Sequence, residues 1–290
     1  MIDRSLRPGK LRPGTLFLRT AGVCEFDPEH LLKVFGEQRR RFGAVLREFG
    51  PDDWAAPTRC ADWSAQDVVR HLCDGDAIGI AGPGDRTLDV TAGFDPRITP
   101  RRWLAASADE SPDATLGRFA ATTEEAIGIG RYRLAQGVRF DVRLPYGPMD
   151  WTVLLLHRFW DSWIHERDVL LARGAGHPTD GDATAYATTY GVFIAAAVAS
   201  MFADPVQAKL TLGGDGGGIF QVDSRSGVTL TVNRGNTAGP PAAEIADALA
   251  GRSSATAVLG DLPASACAAL SHLADFFNTP VEQTPPDSPK

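Results

Sequence analysis

Apolar residues recur at helical spacing through the first half of the chain, and strand-like runs enter only in the second half. Leu31, Leu32, Phe35, Phe42, Val45, Leu46 and Phe49 share one stripe of a 3.6-residue period, which predicts a helix from residue 27 to about residue 49. Asp27-Pro28-Glu29 supplies an N-cap, a proline at the first helical position and an early acid, and Gly50-Pro51 ends the run. Ser64 caps a second helix, with Asp67 three residues on as a variant capping box. It carries Val68, Val69, His71 and Leu72 toward Gly79 and Gly82. Residues 113–136 read as a third helix, weakened by Gly128 and Gly130. Asp150 opens a fourth, strongly apolar helix through Leu154, Leu155, Phe159 and Ile164 to Ala172. Four helices of bundle length predict an antiparallel four-helix bundle. Residues 83–100, rich in Gly, Pro, Asp and Thr, read as a long loop, and Pro145-Tyr146-Gly147-Pro148 as a turn.

The pattern changes after Gly174-Ala175-Gly176-His177-Pro178. An alanine-rich helix (183–203) leads into strand-like runs at 207–212, 219–222 and 228–232. Residues 241–250 and 262–277 look helical, with a strand expected between them at 255–259. Strands grouped beside helices indicate a smaller α+β domain. The expected organisation is therefore an N-terminal arm (1–26), a helix bundle (27–176) that stands on its own, an α+β domain (183–283) and a disordered tail (284–290). The class as a whole is α+β. The cluster Gly213-Gly214-Asp215-Gly216-Gly217-Gly218 lacks the Lys-Ser/Thr of a phosphate loop and reads as a flexible hairpin.

Composition narrows the functions. The formal net charge of −7 over 290 residues argues against a nucleic-acid or anionic-membrane partner. Cys24, Cys60, Cys73 and Cys267 are scattered without a CxxC pair, so a reducing, cytoplasmic setting is expected and inert buried cysteines are the better reading. No run of 18 apolar residues announces a membrane span. The expected partner is a small molecule, with the chain acting as a monomer or homodimer.

The chemistry is concentrated in two of the predicted helices. Asp161 and His165, four residues apart, project from one helical face, and His71 on a facing helix would complete a three-ligand metal site with one position open. His157 lies one turn earlier on the same stripe and is the candidate proton shuttle. Trp160 and Trp163 flank the pair and are candidates for the walls of an apolar substrate pocket, against the plainer reading of bundle core. Asp168 is expected to orient a neighbour or to pair with an arginine.

The segments Pro57-Thr58-Arg59-Cys60-Ala61-Asp62-Trp63-Ser64, with Asp67 and His71, and Arg158-Phe159-Trp160-Asp161-Ser162-Trp163-Ile164-His165-Glu166-Arg167-Asp168 resemble the mycothiol-dependent maleylpyruvate isomerase superfamily, part of the wider DinB-like bundles. The resemblance covers residues 27–175 and extends more loosely to a sterol-carrier-like C-terminal domain. It implies a divalent metal, zinc, on His71, Asp161 and His165, and mycothiol as thiol cosubstrate. It also implies a basic residue from the C-terminal domain at the cofactor, for which Arg234 is the candidate. The carboxylate in this pattern is usually Glu, and here it is the shorter Asp161. A mycothiol-dependent isomerase or S-transferase is the leading expectation. A thiol-independent lyase, cyclase or hydrolase of secondary metabolism and a non-catalytic binding protein stay open, because fold does not fix reaction.

Overall fold

A computed structural model of the chain describes residues 17–18, 27–81, 88–89, 95, 98–144, 147–178, 181–201, 204–225 and 227–278. Most of the N-terminal arm, most of the 83–100 loop, Pro145 and Tyr146 of the expected turn, and the 284–290 tail lie outside these residues.

A two-residue strand, β1 (Phe17–Leu18), comes before α1 (Pro28–Leu46), where Asp27 accepts from the Glu29 amide at 2.9 Å. A short α2 (Pro51–Ala55) leads to α3 (Ala65–Ala81). The capping box forms as expected: Ser64 Oγ accepts from the Asp67 amide at 3.1 Å, and Asp67 Oδ2 accepts from the Ser64 amide at 2.9 Å. At the far end of α3, Arg133 donates to the Gly79 carbonyl at 2.9 Å, satisfying an acceptor that the helix itself leaves open.

Two elements fall within the expected 83–100 loop or at its edge: β2 (Leu88–Asp89) and α4 (Thr99–Ala106). A helix this short shows no clear period in sequence. Arg70 of α3 anchors it by donating to the Ser107 carbonyl. The next helix, α5 (Pro112–Ala135), tolerates its glycines because one of them is a contact point: a Cβ on Gly130 would come within 2.8 Å of Leu32 Cδ1. An antiparallel hairpin follows, β3 (Asp141–Leu144) and β4 (Gly147–Asp150), with β2 parallel to β3. Asp150 then caps α6 (Trp151–Ala172), and Gly174 ends the helix region at φ 70°.

The next helix, α7 (Gly181–Met201), is long and apolar enough to cross a membrane, but 94% of its apolar stretch is buried inside the fold. It is the shared core helix of the molecule. Beyond it, β5 (Gln207–Leu212), β6 (Gly218–Asp223) and β7 (Thr229–Arg234) form an antiparallel meander, with β1 parallel beside β7. The glycine-rich β5–β6 connection is packed rather than loose. A Cβ on Gly217 would lie 2.4 Å from the Leu212 carbonyl oxygen, and Gly216 (φ 75°) sits against the backbone of Ala185. The chain closes with α8 (Ala242–Leu249), α9 (Ala255–Val258) and α10 (Ala264–Asn278). At α9 the expected strand is replaced by one helical turn, because Ser254 caps it by accepting from the Ala257 amide.

The α+β class holds, but bundle and C-terminal domain share one core. A single cluster of buried residues runs from Leu31 and Phe35 of α1, through Leu156 and Phe159 of α6, to Tyr190 and Phe193 of α7 and Phe220 and Leu230 of the sheet. A second, smaller cluster (Phe42, Leu46, Trp54, Val68, Leu72, Phe119, Val169) closes the other end of the bundle.

Candidate metal centre

The site stands where α3 faces α6. His71 is on α3, while Asp161 and His165 lie one turn apart on α6. His71 Nε2 is 3.5 Å from Asp161 Oδ2, and His165 Nε2 is 3.4 Å from Asp161 Oδ1. Ligands about 2.1 Å from a tetrahedral ion stand roughly 3.4 Å apart, and each imidazole stands at about that spacing from one carboxylate oxygen, the two contacts ending on different oxygens of Asp161. All three candidate ligand atoms lie within 4.8 Å of one another. The donor set, two imidazoles and a carboxylate, suits zinc and leaves a coordination position open.

The three groups differ in charge state. Burial keeps His71 neutral by lowering its pKa. Burial also works against the charge of Asp161, but His165, His71 and Arg158 outweigh it and hold the carboxyl well below the usual carboxylate range. For His165, burial opposes protonation, yet the neighbouring Cys60, Asp161 and Asp168 raise its pKa well above the ordinary value. A metal taking Nε2 there therefore displaces a proton.

A frame of buried charges holds the trio. Arg158 Nη1 donates to Asp161 Oδ2 at 2.8 Å, and Arg158 Nη2 donates to Asp76 Oδ1 at 3.2 Å and to the Leu72 carbonyl at 3.0 Å. Gly75 makes this possible, since a Cβ there would lie 2.2 Å from Arg158 Nη1. The Arg158 contact takes up an oxygen of the short Asp161 side chain, leaving Oδ1 toward His165. On the other side of His165, Nδ1 donates to Asp168 Oδ2 at 3.1 Å, so the ring would keep its proton on Nδ1 when a cation displaces the one on Nε2. Asp168 is fully buried and in turn accepts from Arg252 Nη2 at 2.8 Å, while Arg59 Nε lies 3.5 Å away.

The 56–64 loop covers the trio. Thr58 Oγ1 donates to the Trp63 carbonyl at 3.0 Å, and Asp62 takes a left-handed φ of 67°, closing a tight turn. Trp63 thereby lies on both imidazoles, stacked at 5.9 Å from His165 and tilted at 5.0 Å from His71. Cys60 sits behind His165, with Arg252 Nη2 donating to its sulfur at 3.0 Å. Cys60, His165 and Asp168 are close enough to form a second ligand group. Asp168 is already engaged there by two guanidinium groups, so the His71 trio is the better cation site.

The remaining predicted residues fall as follows. His157 is held by Tyr190 of α7, its Nδ1 2.9 Å from the hydroxyl. Burial drops its pKa to about 4, against the pull of Asp161, so the imidazole is neutral at pH 7. Trp163 is fully buried against Arg167 and His177 and belongs to the core. Trp160 is also buried, packed on His157 and Tyr190. Arg234 reaches Ala185, Thr189 and Gly216 and lies over the Phe220 ring, joining sheet to α7. The C-terminal-domain cation next to the trio's frame is Arg252, just after α8. It was missed because a single Arg beside Gly251 has no periodic or motif signal. Trp63 was visible only within the resembling segment.

A helix bundle carrying a His–Asp–His cluster and joined to a small α+β unit is a DinB-like architecture. Residues 35–170 match the family described as the mycothiol maleylpyruvate isomerase N-terminal domain. A solved structure titled as the mycothiol-dependent maleylpyruvate isomerase has a similar fold at TM-score 0.56 and 14% identity, covering 79% of this chain and 91% of its own. A histidine-to-alanine mutant of that isomerase aligns over the same shares at TM-score 0.55 and 15% identity. No curated protein matches the sequence.

Proposed function

We propose that this protein is a divalent-metal enzyme, a mycothiol-dependent isomerase or S-transferase acting on a small electrophilic metabolite. The observation that carries the reading is the convergence of His71, Asp161 and His165, whose ligand atoms lie within 4.8 Å of one another. The match of residues 35–170 and the fold of the solved isomerases support the thiol. His71, Asp161 and His165 would hold the ion. When bound, zinc supplies Lewis acidity and lowers the pKa of a thiol or water at the open position. The chain's own residues do the rest. Asp168 orients His165, Arg158 orients Asp161, and Trp63 shields the imidazoles from water. A second reading, a thiol-independent tailoring enzyme, is favoured by the shortened Asp161 and its contact with Arg158, which together reshape the carboxylate edge of the site.

Elemental analysis of protein purified without a polyhistidine tag is expected to find about one divalent ion per chain. His165→Ala should remove it while the far-ultraviolet circular dichroism stays helical. Metal retained in a His71→Ala/His165→Ala double variant would overturn the site. Mycothiol should raise the melting temperature, since native-state binding adds about 2.7 kcal/mol at a hundredfold excess over Kd. No shift in metal-loaded protein at millimolar mycothiol would move the assignment to the thiol-independent reading.

A further inference from the structure

The His157 stripe carries a role that the metal trio does not explain. His157 lies one turn before Asp161 on α6, within electrostatic reach of Asp161 and Arg158 on its own helix and of His71 on α3. Its Nδ1 is occupied by the Tyr190 hydroxyl at 2.9 Å, whereas no protein group bonds its Nε2 among the described residues, and the side chain is partly exposed. Tyr190 itself is fully buried on α7. The imidazole is boxed by the Trp160 ring at 6.0 Å and the Tyr190 ring at 5.5 Å. Trp160 gets close to α7 because position 191 is glycine, where a Cβ would stand 3.4 Å from the indole Nε1. Orientation of this ring is therefore set from both sides.

The tautomer follows from donor and acceptor strength. A phenol is a good donor and a weak acceptor, and a neutral imidazole nitrogen is a better acceptor than a phenolic oxygen. In a buried pair the stronger match wins, which is Tyr190 O–H donating to His157 Nδ1. The proton of the neutral ring then resides on Nε2. We propose that Tyr190 is a positioning residue that holds His157 as the Nε2–H tautomer, and that His157 donates this hydrogen bond to a carbonyl or enolate oxygen of the bound substrate. The low pKa of His157 supports the role, because a neutral imidazole can polarise an oxygen without transferring a proton to it, a use of histidine known from other enzymes. This deepens the enzymatic reading above and rests on it.

Nitrogen NMR of histidine-labelled full-length protein tests the tautomer directly and does not depend on turnover. The expected spectrum shows His157 protonated at Nε2 and unchanged from about pH 5 to about pH 8, where an ordinary histidine titrates. Pyruvate, used as the carbonyl probe, should move the Nε2 signal. Tyr190→Phe should give mixed tautomers and a weakened pyruvate response. A proton on Nδ1, a titration near the ordinary histidine value, or an Nε2 signal that saturating pyruvate leaves in place would overturn the proposal.

Isomerisation of maleylpyruvate with mycothiol supplies the kinetic arm. His157→Ala should lower kcat by roughly 10²-fold, as expected for loss of one donor to a developing oxyanion, with KM little changed. His157→Gln, which keeps a donor, should recover part of it, and its pH profile should overlay that of the wild type. Equal losses in the Ala and Gln variants would point to a packing role alone and sink the donor assignment. If the wild type does not turn over maleylpyruvate, the isomerase reading fails while the nitrogen spectra still decide the tautomer.

Discussion

A chain ended at residue 176 is expected to lose its cooperative fold rather than yield a free-standing bundle. The sequence suggested a boundary there, and the architecture explains why a cut at that point is costly. α6 buries Leu156, Phe159, Trp160 and Trp163 to 3% exposure or less in a core shared with α7. Phe159 meets Tyr186 of α7 edge to face at 6.2 Å, and Trp160 meets Tyr190 at 5.7 Å. Burying one large apolar side chain is worth about 1.5–3 kcal/mol, so uncovering these four is comparable with the roughly 5–15 kcal/mol that holds a whole domain. The cut also removes Asp247, which pairs with Arg167 at 2.6 Å and Arg59 at 2.9 Å, and Arg252, which pairs with Asp168. Thermal melts followed by circular dichroism should show a sharp transition for the full chain and a broad or absent one for the fragment. A sharp melt of the fragment within a few degrees of the full chain would show that the two parts are energetically independent.

The long elements were legible because their signals are local. The caps at Asp27 and Ser64 lie beside the helices they open and form as read, and Asp150, read as the opening of the fourth helix, caps α6. Where the signal was too short, the reading failed. α4 has eight residues and α9 four, too few to display a period, and Ser254 tips 255–258 into a helical turn that β-like composition masked. The shared core was not legible, because α7 is apolar on every side and an all-apolar helix does not reveal which neighbours it serves.

The candidate site divides along the same line. The i, i+4 relation of Asp161 and His165 is written in the helix, and the facing histidine follows from the bundle. The frame around them is made of long-range pairs: Arg252 with Asp168 lies 84 residues apart, and Cys60 with Arg252 lies 192 apart. Isolated arginines and a cysteine in loops carry no spacing to read. His157 was read one turn before Asp161, where α6 carries it, but its low pKa comes from burial, which only the folded chain supplies.

Asp168→Ala is expected to be the most damaging single change at the centre. The carboxylate accepts from His165 at 3.1 Å, from Arg252 at 2.8 Å and from the Cys60 thiol at 3.3 Å, all in a fully buried position. Removing one partner from a buried ionic network leaves the other charges uncompensated and typically costs about 3–5 kcal/mol. Burial opposes the charge of Asp168, but His165 and Arg252 outweigh it and hold its pKa well below the usual carboxylate range. A carboxyl depressed in this way stabilises the fold fully above the unfolded value, and that contribution is lost as pH falls through the folded one. The stability gap between wild type and Asp168→Ala should therefore be widest at neutral pH and close as the solution is acidified below about pH 4. Zinc affinity should fall as well, by roughly 10–100-fold, because His165 loses the acceptor that fixes its tautomer. Asp168→Asn keeps an acceptor for His165 but not the charge for Arg252, so it should retain more zinc affinity than stability. Denaturant unfolding at several pH values and zinc titration of both variants separate the two effects. Wild-type stability together with wild-type zinc affinity in Asp168→Ala would mean that the C-terminal domain reaches the metal ligands by some route other than Arg252 and this carboxylate.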